Sequence, residues 1–128
     1  MVTPDRYPEL LEEILIKHTQ IPYAYGSIKT SLIINSSQTE FILMDYGWEN
    51  DRRVHGCLFH AQIIEKKFWI QYDGIEDSIT EELVAAGIPK DQIVLAFHPP
   101  SVRSYTGYAV GVEPEEVPIQ SAGGNDRS

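Results

Sequence analysis

The chain has 128 residues, 42% of them hydrophobic and 23% charged. A chain of this length buries about 65–70% of its unfolded surface, so its core needs neither a metal nor a disulfide. Nineteen acidic residues against ten basic ones leave a net charge of -9. That balance counts against independent binding to nucleic acid, where lysine and arginine must replace the phosphate counterions. The single cysteine, Cys57, excludes an intrachain disulfide and fits a reducing compartment, the cytoplasm. The chain opens without a basic stretch followed by an apolar one, and no apolar run approaches ~20 residues. Neither a signal peptide nor a membrane span is expected.

Leu10, Leu11, Ile14 and Leu15 recur at helical spacing, with Glu9, Glu12, Glu13 and Lys17 on the other face. Thr3 or Asp5 is the expected N-cap, and the helix should stop before Ile21-Pro22. A series of strand-like segments comes next. Ser27 to Asn35 alternates, with Ile28, Thr30, Leu32 and Ile34 on one face. Asn35-Ser36-Ser37-Gln38 reads as a turn; its match to the glycosylation sequon carries no weight without a secretion signal. Thr39 to Gly47 sets Ile42, Met44 and Tyr46 opposite Phe41 and Leu43, and the polar stretch Glu49-Asn50-Asp51-Arg52 breaks it. Val54 to Ile64 is a longer strand, Glu65-Lys66 reverses the chain, and Phe68 to Tyr72 completes the set, with Phe68, Ile70 and Tyr72 expected on one face. Short connections favour antiparallel hairpins.

Ser78-Ile79-Thr80-Glu81 matches a capping box, and Gly87 with Pro89 supplies the C-terminal stop of a second helix. Ile93 to Phe97 is apolar throughout, a strand buried on both faces or a connector under the helices. Pro99-Pro100 can start a short helix through Tyr105. These elements predict an α+β domain over residues 1–112, with an antiparallel four- to five-stranded meander and helices packed on one face. The other face carries Trp48 or Trp69 and several isoleucines, a surface for self-association. Residues 113–128 hold four acids, one base, two prolines and two glycines, and read as an acidic, mostly disordered tail.

Several residue groups could carry chemistry. His55, Cys57 and His60 are three metal-ligand types, but strand alternation turns His60 away from the other two, so they converge only if a bulge intervenes. Glu65 and Lys67, with Asp45 or Asp51 upstream, match part of a nuclease-like site that would hold Mg²⁺. Asp73, Glu76 and Asp77 concentrate carboxylates beside Trp69 and Tyr72. A turn followed by a helix start explains them structurally, and a partner contact explains them better than a metal. His98, Arg103 and Tyr105 cluster near the short third helix, and arginine and tyrosine are favoured at protein–protein hot spots. No nucleophile elbow, dinucleotide fingerprint or phosphate loop occurs. The reading is therefore of a protein without catalytic residues, cofactor or metal, whose candidate partner surface is Asp73, Glu76, Asp77, His98, Arg103 and Tyr105.

The order of segments resembles the XisI family of fdxN element excision controlling factors. The matching stretches are Ile21-Pro22-Tyr23-Ala24-Tyr25-Gly26, Gly47-Trp48, Arg53-Val54-His55-Gly56-Cys57 and Trp69-Ile70-Gln71-Tyr72-Asp73-Gly74. They continue through Glu82 to Lys90, Ile93 to Arg103 and Tyr105-Thr106, so the resemblance covers about Tyr7 to Val112. Ile75 stands where a threonine is common, and Ala96 where a glycine is. The resemblance implies an accessory factor for programmed, site-specific DNA excision, working beside a separate recombinase and a companion protein called XisH. It brings no catalytic residues. Two alternatives remain: direct DNA binding, using Arg52, Arg53, Lys66 and Lys67 if their turns adjoin, or a metal-dependent nuclease.

Overall fold

The computed structural model describes residues 2–20, 27–75 and 78–111. The expected tail, and the candidate residues Glu76 and Asp77, lie outside these.

Helix α1 (Tyr7–Thr19) forms where Leu11, Ile14 and Leu15 line one face, all buried. A single 3₁₀ turn, Pro4–Arg6, precedes it. Thr3 and Asp5 do not cap the helix; the threonine hydroxyl donates to the aspartate carboxylate instead. Strands β1 (Ser27–Ile34), β2 (Glu40–Glu49), β3 (Arg52–Ile64) and β4 (Lys67–Asp73) form an antiparallel meander. Asn35 Oδ1 closes the first turn by accepting from the amides of Thr39 and Glu40 at 2.8 and 2.9 Å. The polar stretch after β2 interrupts pairing for only two residues, because Asn50 takes a positive φ of 57° and the chain reverses at once. Glu65 and Lys66 take positive φ of 51° and 66°, the backbone of a two-residue hairpin whose twist matches its strands.

Helix α2 (Ile79–Ala85) then crosses back, and β5 (Ile93–Leu95) joins the sheet parallel to β4, with Trp69 beside Val94. The sheet is thus five-stranded, in the order β1-β2-β3-β4-β5, and mixed. The parallel fifth strand departs from a pure meander because a helix lies in its connection, as parallel neighbours require. Helix α3 (Pro100–Arg103) is one turn long.

Both longer helices cover the same face. Phe41, Leu43, Phe59, Ala61, Phe68, Ile70 and Ile93 from the strands meet Leu11, Ile14, Leu15, Ile79, Leu83 and Ile88 in one core. Tyr7 stacks on Phe68 with ring centroids 4.6 Å apart. His18 Nε2 lies 2.6 Å from Glu82 Oε2, tying the end of α1 to α2.

Two bulges in the meander decide what the other face displays. Leu43 pairs with Phe59 but Met44 pairs with Cys57, so Leu58 is an extra residue in β3. Its carbonyl accepts from Gly74 N at 2.7 Å, one step beyond the Phe59–Asp73 pair. His60 pairs with Tyr72 but Ala61 pairs with Ile70, so Gln71 is an extra residue in β4. Each extra residue shifts the alternation by one and turns the residues beyond it to the opposite side. Tyr72 is therefore not on the core side with Phe68 and Ile70. It sits across from His60 on the uncovered face, 50% exposed.

Candidate functional site

Asp73 lies at the end of β4, just before α2. One of its carboxylate oxygens accepts from the Thr80 amide at 3.0 Å, the Thr80 hydroxyl at 2.9 Å and the Ser78 hydroxyl at 3.2 Å. The other accepts longer bonds from the amides of Ile75 and Ile79. The Ser78 hydroxyl accepts from Glu81 N at 3.3 Å, which is half of the expected capping box. Asp73 supplies the other anchor, satisfying amides that a helix start leaves without partners. Its carboxylate is thus spent on joining β4 to α2.

Arg103 is turned inward, with 2% of its surface exposed. Its guanidinium donates to the carbonyls of His98 at 3.0 Å, Ala96 at 3.2 Å and Val110 at 3.4 Å, and lies 5.7 Å from the Trp69 ring centroid. A planar fork of donors suits this gathering of three loop carbonyls. The expectation that Arg103 itself meets a partner is corrected: burial keeps it from the surface, and it shapes the 96–111 segment from below. That segment lies over the far end of the uncovered sheet face. Ala109 N bonds Ile93 O at 2.8 Å, and a Cβ placed on Gly111, whose φ is +69°, would come within 3.0 Å of the Trp69 ring.

The same segment holds outward the side chains that are free to meet another molecule. Tyr105 is 86% exposed, and Phe97, Val102 and Val110 are also exposed. The His98 ring is tilted against Phe97, with centroids 4.7 Å apart. Phe97 and Val102 were not singled out in the sequence. Their signal was available, since a large apolar residue on either side of a Pro-Pro pair has little room to bury itself in a short connector.

The bulge at Leu58 brings His55, Cys57 and His60 onto one face, the condition their convergence required. They remain strung along β3. His60 Nε2 is 2.7 Å from Glu40 Oε2, and no group of three or more histidine, cysteine or carboxylate side chains suited to a metal occurs among the described residues. The nuclease-like set does not assemble either. Asp45 is buried on the helix side, where Thr30 Oγ1 donates to it at 2.7 Å and burial pushes its carboxyl above the ordinary value. Asp51 lies in the β2–β3 turn, and Lys67 opens β4, across from Ile64 at the far end of β3. For the same reason Arg52 and Arg53 stand apart from Lys66 and Lys67: β3 is 13 residues long and separates the two turns instead of bringing them together.

Fold and site together define a small α+β domain with an open-faced sheet and an aromatic-tipped segment over residues 96–111 held by Arg103. The model of the XisI protein family matches residues 1–110, and the chain belongs to that family. A XisI-like protein from Anabaena variabilis has a similar structure, with a TM-score of 0.76 and 29% identity over 84% of this chain and 99% of that one. The fdxN element excision controlling factor XisI from the same organism is also similar, with a TM-score of 0.67 and 28% identity over 84% of this chain and 98% of that one. No curated protein matches the chain.

Proposed function

We propose that this protein is a non-catalytic accessory factor in programmed, site-specific DNA excision. It acts through a protein partner, a XisH-like protein or the recombinase, and meets DNA only indirectly. Family membership and the excision controlling factor among the similar structures support the process. The net charge of -9, and the distance between the two basic turns, favour a protein partner over phosphate. The single unpaired cysteine suits the cytoplasm.

The observation that carries the partner reading is Tyr105, 86% exposed on a segment pinned by Arg103, with Phe97 and Val102 exposed nearby. An aromatic anchor on a pre-organised loop loses little entropy on docking. His98 edges this surface; Asp73, whose carboxylate is taken up by the start of α2, does not belong to it, and Glu76 and Asp77, outside the described residues, remain the candidate carboxylates for a basic patch on the partner. Co-purification and calorimetry with the XisH-like protein test this. A complex is expected, weakened tenfold or more by Tyr105→Ala with the thermal melt unchanged. Absence of any complex at tens of micromolar overturns the reading.

A further inference from the structure

The uncovered face of the sheet leads to a second surface, independent of the partner reading. Strand β2 is apolar on both sides. Phe41 and Leu43 point into the helix layer, while Ile42, Met44, Tyr46 and Trp48 point the other way. A sheet that faces water on one side should be polar there, and a strand apolar on both faces is the pattern of one covered on both. Neighbouring strands extend the patch. Ile33 lies beside Ile42, Cys57 beside Met44, and Tyr72 beside His60. Ile33 and Tyr72 are about half exposed, as is Trp48. The chain's own cover, the 96–111 segment, sits on Trp69 and Val94 of β4 and β5.

We infer that a second copy of this chain covers this face, two sheets packing through β1 to β3 about a two-fold axis that crosses β2 near Met44. Charge placement selects both the occupant and the axis. At one end of the patch stand Lys29, beside Tyr46, and Arg53, whose guanidinium lies 5.3 Å from the Trp48 ring centroid. At the other end of β2 stands Glu40, on the same side as Ile42 and Met44. The middle holds no lysine, arginine or carboxylate: Ile42, Met44, Tyr46 and Cys57 lie there with His55 beside Tyr46 and His60 beside Ile42, the latter already 2.7 Å from Glu40. An isologous interface places each residue against whatever a half-turn about the axis brings opposite it. An axis across the strands sets Lys29 and Arg53 of one copy towards Glu40 of the other, twice over, and apolar centre against apolar centre. An axis along the strands would stack arginine on arginine. Sheets packed this way lie ~10 Å apart with interdigitating side chains.

Light scattering on the full chain tests this, with 29 kDa expected, twice the 14.5 kDa of one chain. Met44→Glu, at the centre, is expected to give a monomer. Arg53→Glu, at the rim, should weaken the dimer tenfold or more, with a thermal melt of the monomer alongside to register the loss of its own contacts to Trp48 and Gly47. Glu40→Arg added to Arg53→Glu should restore it. Cys57 is the chain's only cysteine, so mild oxidation of the native protein should yield a disulfide-linked dimer faster than oxidation in urea. A wild-type monomer at tens of micromolar overturns the inference. So does a dimer that persists in both Met44→Glu and Arg53→Glu, which would put the contact elsewhere. Monomeric wild type that is captured by single-stranded DNA through Trp48 would instead assign the face to nucleic acid.

Discussion

The two sides of β2 carry equally apolar residues with opposite fates. Phe41 and Leu43 are wholly removed from solvent, while Trp48, on the alternate side, keeps half its surface. Hydrophobicity alone therefore does not say which side the fold uses. What decides is the supply of covering elements: α1 and α2 reach only one side, and the 96–111 segment reaches only β4 and β5 on the other. A strand's pattern records everything that will cover it, including what the monomer lacks.

The largest effect should come from the covered side. Phe59→Ala is expected to cost about 3–5 kcal/mol in denaturant unfolding, the usual loss for an aromatic core side chain. Trp48→Ala, studied as the monomer, should cost well under that, and equal losses would break the contrast. Next in size is Arg103→Met, which leaves the carbonyls of Ala96, His98 and Val110 short of a donor. About 2–4 kcal/mol is expected for such buried groups, with faster hydrogen exchange confined to the 96–111 segment. Exchange unchanged there would show that the arginine does not organise the loop. Asp73→Ala removes the anchor of α2 and should cost about 1–2 kcal/mol, with Asp73→Asn retaining part of it.

The smallest effect is a pH dependence. Burial raises the Asp45 carboxyl above its ordinary value of 3.8, so the folded chain holds that proton more tightly than the unfolded one. The stabilisation from this group is full below the unfolded value and drains away as pH rises through the folded one. Asp45→Asn keeps an acceptor for Thr30 and carries no charge, so its stability relative to wild type should climb from pH 3 to neutrality. A difference flat with pH would remove burial as the cause.

Much of the architecture was legible because it rests on local rules. The Leu11, Ile14 and Leu15 spacing, the alternation of β1 and β2, and the Ser78 cap with its Gly87 stop each need only a few neighbouring residues. The features that escaped detection depended on pairing. Nothing within His55 to His60 announces that Leu58 will be passed over by its partner strand, yet that one residue puts all three candidate ligands on one side. The same holds for Gln71 and the misplaced Tyr72, and for the parallel pairing of β5. The candidate surface divided in a similar way. Tyr105 could be named as a candidate from its type and neighbourhood, though its exposure could not be read from the sequence, and Arg103 and Asp73 have the same chemistry whether they face a partner or their own backbone. Only the tertiary structure supplies the carbonyls and amides they engage.

The bulge at Leu58 also makes that residue the one in β3 whose loss leaves every neighbour facing as it does now. With it gone, Cys57 would directly precede Phe59, the pairs Leu43–Phe59 and Met44–Cys57 would stand in plain alternation, and Arg53, His55 and Cys57 would keep their side. Natural relatives of this chain can therefore differ by a one-codon deletion at that point and still present the same side chains on each face.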